Sequence, residues 1–405
     1  MQSFFAKLIL RKYRPTIVAV AGSVGKTMVK QAVRAVLSSG MNVRMSSASS
    51  NDYRGALWTI IGGGAARALG LFFRRDPEYP RVLVLEYGID ADGDMERLMA
   101  LAAPDIGVLT SLAPAKLDTD RSLERMLRAQ SLVAVNGKRS GWTVLAVDDE
   151  RVQALRNRVR GRVMSYGLHE SADVRAIEIA VNQEVRDGSI IVKGTTFKLV
   201  YKGSAVPIAL PGVLGVQHIA GALGAATVGI ICEMNLVAIA EAFRLYEAPP
   251  GRMRLLSGIK RTLLIDDTYT AVPASVVLGL QALDTLAVKP GAEKFAVIGD
   301  MESLGAYTGE GHRDVGERAA AIGIDYLVTV GKLSRDIGRA AREKGIPEDR
   351  VYHFTTPEEA GRFIQDRLEE GDAVYVSGSA GMRMEKIVKE LMAEPLKADG
   401  LLVRR

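Results

Sequence analysis

Ile17-Val18-Ala19-Val20-Ala21-Gly22-Ser23-Val24-Gly25-Lys26-Thr27 is the stretch from which the fold is read. An apolar run enters a glycine-rich turn that closes on Gly25-Lys26-Thr27, and Val29, Ala32, Val33 and Val36 then recur at helical spacing. Strand, loop and helix in that order are what a phosphate-binding loop requires. Glycines let backbone N–H groups crowd round an anion, and the helix N-terminus adds positive dipole. In such a loop Gly22, Ser23, Val24 and Gly25 cradle phosphates, Lys26 reaches the β- and γ-phosphates, and the Thr27 hydroxyl ligates Mg²⁺. Val20 stands where the general pattern GxxxxGK[ST] has its first glycine. The alternative is a glycine-rich strand-to-helix turn without a ligand, and the flanking patterns favour the nucleotide site.

Outward from this loop the chain reads as α/β. Val82-Leu83-Val84-Leu85-Glu86, Ile106-Gly107-Val108-Leu109-Thr110 and Thr143-Val144-Leu145-Ala146-Val147 are further buried strands. The helical patterns between them imply βαβ units and a mostly parallel sheet. From Val174 to Leu210 alternating segments surround Arg186-Asp187-Gly188, a hairpin signal, so a small antiparallel sheet is expected there. Gln217 to Ala242 reads as one long helical pattern. Ala248-Pro249-Pro250-Gly251 reads as an interdomain linker. Beyond it Thr262–Ile265, Phe295–Ile298, Tyr326–Val330 and Ala373–Val376 look like parallel strands of a second α/β unit. The expected division is 1–248 and 249–405, two lobes that close on nucleotide and substrate.

A chain of 405 residues has room for two or three domains and a substantial core. The formal net charge of +6 is spread along the chain, and no nucleic-acid partner is expected. The densest basic run, Lys7, Arg11, Lys12 and Arg14, lies beside Phe4, Phe5, Leu8 and Ile9. Such a segment is either an amphipathic helix touching an anionic membrane or, the preferred reading, a helix packed on the body with a solvated face. No apolar run is long enough to span a bilayer, and charge interrupts Phe4–Leu10 as a cleavable signal. The single cysteine, Cys232, excludes an internal disulfide and a Cys-rich zinc site. A cytoplasmic location is expected.

Several further motifs fall into a known order. Gly22-Ser23-Val24-Gly25-Lys26-Thr27, Glu86-Tyr87-Gly88, Pro104 to Thr110, Gly251-Arg252, Asp266-Asp267-Thr268-Tyr269, Gly299-Asp300-Met301 and Gly378-Ser379 resemble the Mur ligase family from about Ile17 onward. Asn51-Asp52-Tyr53-Arg54-Gly55 resembles the family's Asn-rich loop in altered form. The resemblance implies a central ATP-binding domain over 1–248 and a Rossmann-like C-terminal domain over 249–405. The family's N-terminal domain, which holds the UDP end of the substrate, is expected to be missing. The implied activity is ATP-dependent amide-bond formation through an acyl phosphate, with D-alanyl-D-alanine addition to a muramoyl tripeptide as the reaction. ATP, Mg²⁺ and a peptide or amino-acid substrate are the implied ligands.

The resemblance also assigns residues. Lys26 and Thr27 hold the phosphates and the first Mg²⁺, which Glu86 also ligates from a strand end. Arg252 touches the terminal phosphate on closure, while Asp266, Asp267 and Tyr269 lie over the ribose and base. Without the resemblance Glu86 is a solvent-facing strand end, Arg252 a surface linker residue and the aspartates a strand-end cap. Gly299-Asp300-Met301 is a turn of structural or catalytic use, and His312 is expected at a solvated helix position.

Four departures from the family touch the chemistry. Its second-metal histidine segment reads Ala113-Pro114-Ala115-Lys116 here, and Gln130 replaces its carbamylated lysine. A lysine ammonium is no ordinary ligand for a hard cation, so Lys116 is read as a fixed positive charge where that ion would sit. The adenine-contacting asparagine aligns with Gly221; Gln217 or His218 compensates, or His218 merely caps the helix. The family's Lys-Gly-Ser-Arg appears as Ser377-Gly378-Ser379-Ala380, with Arg383 close by as a substitute charge or a helix-face residue. Two alternatives therefore accompany the ligase reading. One is a ligase for a non-UDP substrate such as a polyglutamate; the other is a catalytically silent ATP-binding scaffold or regulator of wall synthesis.

Overall fold

The computed structural model describes residues 2–47, 51–89, 91–112, 120–186 and 189–403. Its first lobe is built on nine described strands. In space they run β2 (Val43–Met45), β3 (Val82–Glu86), β1 (Thr16–Ala21), β4 (Ile106–Leu109), β5 (Trp142–Ala146), β6 (Arg162–Gly167), β7 (Val174–Arg186), β8 (Ser189–Tyr201) and β9 (Ser204–Pro211). β2 to β6 are parallel to their neighbours, and β7, β8 and β9 pair antiparallel. β1 lies between β3 and β4, so the chain winds first to one side of it and then to the other. Ligands of open α/β sheets bind at that switch, beyond the carboxyl ends of the strands.

The near-continuous apolar runs of β1, β3 and β4 are buried because helices cover both faces of the sheet. On one face Val18, Val20, Val84 and Val108 meet Val29, Val33 and Val36 of helix α2 (Lys26–Ser38). On the other face Ala19, Leu83 and Leu85 meet helices α1 (Gln2–Tyr13), α3 (Tyr53–Ile61) and α4 (Ala65–Phe73). Helix α1 is thus packed on the body through Ala6 and Ile9.

The antiparallel strands expected between Val174 and Leu210 form, but they extend the main sheet instead of standing apart. β7 adds to β6 in parallel through Tyr166–Val174 and Gly167–Arg175, and only then turns back into its long hairpin with β8. Asp187 and Gly188, on which the hairpin signal rested, lie outside the described residues. The single helical pattern from Gln217 to Ala242 is two helices, Val216–Ile231 and Leu236–Phe243. Left-handed Glu233 breaks the run, and the Asn235 side chain caps the second helix by accepting from the Ala238 N–H at 2.8 Å.

The second lobe holds six described strands: β10 (Arg254–Ser257), β11 (Leu263–Asp267), β15 (Ala373–Ser377), β12 (Lys294–Gly299), β13 (Tyr326–Val330) and β14 (Val351–Phe354), in that spatial order. Only β10 is antiparallel. β10 and β14 escaped the sequence reading because both are short edge strands. Val181 and Val192 of the β7–β8 hairpin, with Leu214, pack into this lobe's core, so the lobes share apolar surface as well as a linker.

Candidate active site

The phosphate-loop residues sit beyond the carboxyl end of β1. Register pairs Val20 with Glu86 on one side and Val108 on the other, and the Val20 side chain is buried. The chain is therefore still strand where the general pattern has glycine, and an apolar residue belongs there. Gly22 is the position that must lack a side chain: φ is +131°, and a Cβ would stand 2.1 Å from Thr110 Oγ1. That hydroxyl donates to the Val24 carbonyl at 2.7 Å, and the Ser23 N–H donates to the Ser111 carbonyl at 2.7 Å, which fixes the loop to the end of β4. Gly25, at φ +89°, caps α2 without a side chain, so the helix N-terminus stays open to an anion. Lys26 Nζ folds back onto the Gly22 and Ser23 carbonyls, at 2.7 and 3.2 Å.

Glu86, the last residue of β3, is buried beside this loop, not turned to solvent. The Thr27 hydroxyl lies 3.3 Å from each of its carboxylate oxygens. Lys30 Nζ completes the cluster, 2.9 Å from Glu86 Oε2 and 3.0 Å from the Ser47 carbonyl to which it donates. Sequence reading missed Lys30. The available signal was its spacing: Thr27 and Lys30 stand three apart on one helix face, where the neighbours Val29, Ala32 and Val33 are apolar. A hydroxyl and a carboxylate converging at a helix N-terminus form an all-oxygen donor pair suited to a hard divalent cation. Glu86-Tyr87-Gly88 continues against Asn51, whose carbonyl accepts from the Gly88 N–H at 2.7 Å.

Arg252 approaches from the second lobe. Its guanidinium lies 4.4 Å from the centre of the Tyr269 ring and donates to Thr270 Oγ1 at 2.6 Å. Burial lowers the proton affinity of the guanidinium, and Asp267, Tyr269 and Glu86 oppose that shift; it remains a cation at neutral pH. Glu86 of the first lobe is thus among the charges that act on Arg252. Asp266 and Asp267, at the end of β11, are both buried. Asp266 is spent locally, accepting from the Gly251 N–H at 3.0 Å and the Thr268 hydroxyl at 2.7 Å, so it braces the linker. Asp267 accepts from the Tyr375 hydroxyl at 3.1 Å, and burial pushes its pKa up to about 7 against the pull of Arg252. Lys26, Thr27 and Glu86 thus gather at the phosphate loop, Arg252 stacks on Tyr269 in the second lobe under the influence of Asp267 and Glu86, and the Asp266 carboxylate turns to the linker.

The family model for the Mur ligase middle domain matches residues 20–228, and that for the Mur ligase glutamate ligase domain matches residues 251–380. The chain belongs to the Mur ligase family. It is 26% identical over 391 residues to the UDP-N-acetylmuramoyl-tripeptide--D-alanyl-D-alanine ligase of Bacillus subtilis, covering 96% of this chain and 79% of that one. The enzyme of the same name from Escherichia coli is 28% identical over 379 residues, covering 93% and 76%. In fold, the Mur ligase resembles the MurF ligase of Thermotoga maritima, solved in complex with ADP, with a TM-score of 0.77, 21% identity and coverage of 98% and 84%. A pseudomurein peptide ligase type C from Methanothermus fervidus has a TM-score of 0.64 at 15% identity, covering 94% and 80%.

This Mur ligase's departures occupy definite places. Gln130 is buried against the phosphate loop, where Ser23 Oγ donates to its Oε1 at 3.0 Å. Ala113 to Lys116 lie outside the described residues. Gly221 faces Met28 of α2, where an added Cβ would stand 3.3 Å from the Met28 Cβ; it serves helix packing. His218 does not cap its helix. Its Nε2 faces the Arg252 carbonyl at 2.7 Å and its Nδ1 the Tyr246 hydroxyl at 3.0 Å. The carbonyl requires a proton on Nε2, and burial, which pulls the pKa down to about 4, keeps the ring neutral so that Nδ1 accepts from the Tyr246 hydroxyl. Gln217 Oε1 is a buried oxygen with no partner among the described residues. Asp300 accepts from the Lys332 and Ser334 N–H groups at 3.0 and 2.7 Å, so the Gly-Asp-Met turn is structural. His312 is buried, not solvated, with Nε2 accepting from the Met301 N–H at 3.1 Å. Arg383 pairs with Glu385 at 3.1 Å and is thereby neutralised.

Proposed function

We propose that the chain is an ATP-dependent amide-bond-forming ligase that adds D-alanyl-D-alanine to a muramoyl-peptide precursor of peptidoglycan. The observation that supports this reading is the contact of Thr27 with Glu86 at the phosphate loop, with Glu86 also acting on Arg252 of the second lobe. The named relatives supply the substrates. In the reaction a substrate carboxylate oxygen forms a bond to the γ-phosphorus of ATP as the bond to ADP breaks. The amine of the incoming dipeptide then attacks the acyl carbon, the C–N bond forms, and phosphate leaves with the acyl C–O electrons. Side chains contribute charge and position more than covalent chemistry.

Lys26 exchanges the Gly22 and Ser23 carbonyls for phosphate oxygens, and the open N-terminus of α2 receives them. Thr27 and Glu86 would hold Mg²⁺, which when bound offsets phosphate charge. Arg252 presents its cation to the terminal phosphoryl group, and Tyr269 beneath it keeps the guanidinium in plane. Gln217 Oε1, buried and without a partner among the described residues, would accept from an exocyclic amine such as that of adenine, whereas both nitrogens of His218 are engaged. Lys116 supplies positive charge in place of a second ion.

The neutral Gln130, held by Ser23, favours one second reading: a nucleotide-binding protein that does not turn over. Phosphate release by the purified protein decides between them. Release that needs both the UDP-muramoyl tripeptide and D-alanyl-D-alanine, and falls about 10²–10³-fold in Arg252→Ala, is the expected result. Tight ATP binding without release on any carboxylate and amine pair would replace the ligase reading with the silent one.

A further inference from the structure

Helix α4, Ala65–Phe73, is apolar on two sides. Ala68 and Leu71 point inward and are buried, whereas Ala65, Ala66, Leu69, Phe72 and Phe73 form a stripe that faces out, with Phe73 76% and Leu69 45% exposed. A helix that is hydrophobic all round is ordinarily covered. The first helix lies alongside and extends the stripe: Phe4, 65% exposed, meets Phe5, Phe5 meets Phe72 and Phe72 meets Phe73, ring edge to ring face, with centroids 5.0–6.0 Å apart. The arrangement is held rigidly. Lys12 Nζ donates to the carbonyls of Leu71, Phe72 and Arg74 at 2.8–2.9 Å, closing the C-terminus of α4 and fastening it to α1.

The rim of this aromatic face is basic. Lys7 and Arg11 follow Phe4 at three and seven residues, on the same exposed side of α1, and exposed Arg74 and Arg75 follow Phe73 directly. Asp52 is the only acidic residue among the first 75, and the next, Asp76, is paired with Arg67. Exposed aromatic rings with lysines and arginines at their margin fit the boundary between headgroups and acyl chains of an anionic bilayer. The same charge would set two copies of the face against each other.

We propose that the face formed by α1 and α4 docks peripherally on an anionic membrane surface, with Phe4, Phe72 and Phe73 entering the headgroup boundary and Lys7, Arg11, Arg74 and Arg75 facing lipid phosphates. The helices lie on the surface: α4 is a fraction of the length that spans a bilayer, and the preceding helix α3 is anchored in the core through Leu57, Ile60 and Ile61.

Flotation of the full chain with vesicles tests this. The protein floats with phosphatidylglycerol-rich vesicles, less in high salt, and stays behind with phosphatidylcholine alone. The double variant Phe4→Ser/Phe73→Ser loses about tenfold or more in partitioning. Arg74→Gln/Arg75→Gln loses several-fold together with part of the salt dependence. Both keep the parent's thermal midpoint and nucleotide affinity, because none of these side chains is buried or near the phosphate loop. Failure of the parent to float, or equal flotation of all variants, overturns the proposal. So does a dimer in light scattering that Phe4→Ser/Phe73→Ser dissociates, which would assign the face to a second copy.

Discussion

Lys30 and Glu86 are a buried ion pair inside the site proposed to hold Mg²⁺. The ammonium satisfies Glu86 Oε2 at 2.9 Å and leaves the hydroxyl of Thr27 beside both carboxylate oxygens. Removing one partner of such a pair typically costs about 3–5 kcal/mol, because the other charge is left buried alone. Lys30→Met is therefore expected to lower the unfolding free energy by that order in the absence of ligand. The same substitution removes a cation that competes for Glu86. Mg²⁺ with ADP should then raise the thermal midpoint of Lys30→Met by more than it raises that of the parent. Melting curves with and without Mg²⁺-ADP measure both effects, and equal shifts in the two proteins would mean that Glu86 does not meet the ion. Glu86→Gln should respond in the opposite sense, with a smaller shift than the parent.

Among the elements, the helix Val216–Ile231 shows how packing uses glycine. Gly229 meets Val36 of α2 and Ile239 of the next helix, and a Cβ there would lie 2.9 Å from Val36 Cγ1. Gly229→Val is expected to overpack this contact and cost about 1–3 kcal/mol in urea unfolding, with nucleotide affinity unchanged; a neutral result would show that the two helices can separate. The long apolar strands and the phosphate loop were legible in the sequence because their periodicity and glycine spacing are local properties. Gly221, which stands where the family's adenine-contacting asparagine aligns, packs against Met28, a role that alignment without geometry could not supply. Lys30 and Gln130 point the other way. Their importance comes from residues distant in sequence, Glu86 and Ser23, and only the folded sheet brings them together. His312, expected at a solvated position, is a buried brace for a turn, and Asp300 takes the structural of the two roles left open for its turn.

At the scale of the whole molecule, the two lobes meet through a carbonyl and a ring. His218 of the first lobe donates to the backbone of Arg252, the residue whose side chain stacks on Tyr269 and feels the charge of Glu86. Left-handed Gly251 and Met253 flank Arg252, so this hydrogen bond helps fix a sharply turned segment. The folded ring refuses a proton until about pH 4, whereas the unfolded ring takes one near 6.5. The unfolded state therefore binds more protons between those values, and stability from His218 is complete above pH 6.5 and lost as pH falls toward 4, by about 3 kcal/mol. Asp267 works in the opposite direction. Its folded pKa of about 7 lies above the ordinary 3.8, so its penalty is absent in acid and grows as pH rises through that interval. The two slopes largely cancel in the parent, and the linkage is visible only when one is removed. His218→Gln keeps a donor for the Arg252 carbonyl but cannot titrate. The stability gap between parent and His218→Gln should thus narrow by about 3 kcal/mol between pH 7.5 and pH 4, read from urea midpoints at matched ionic strength. A gap that stays constant across that range would mean that His218 is protonated as readily in the folded protein as in the unfolded chain, and that the contact between the lobes does not depend on its neutral form.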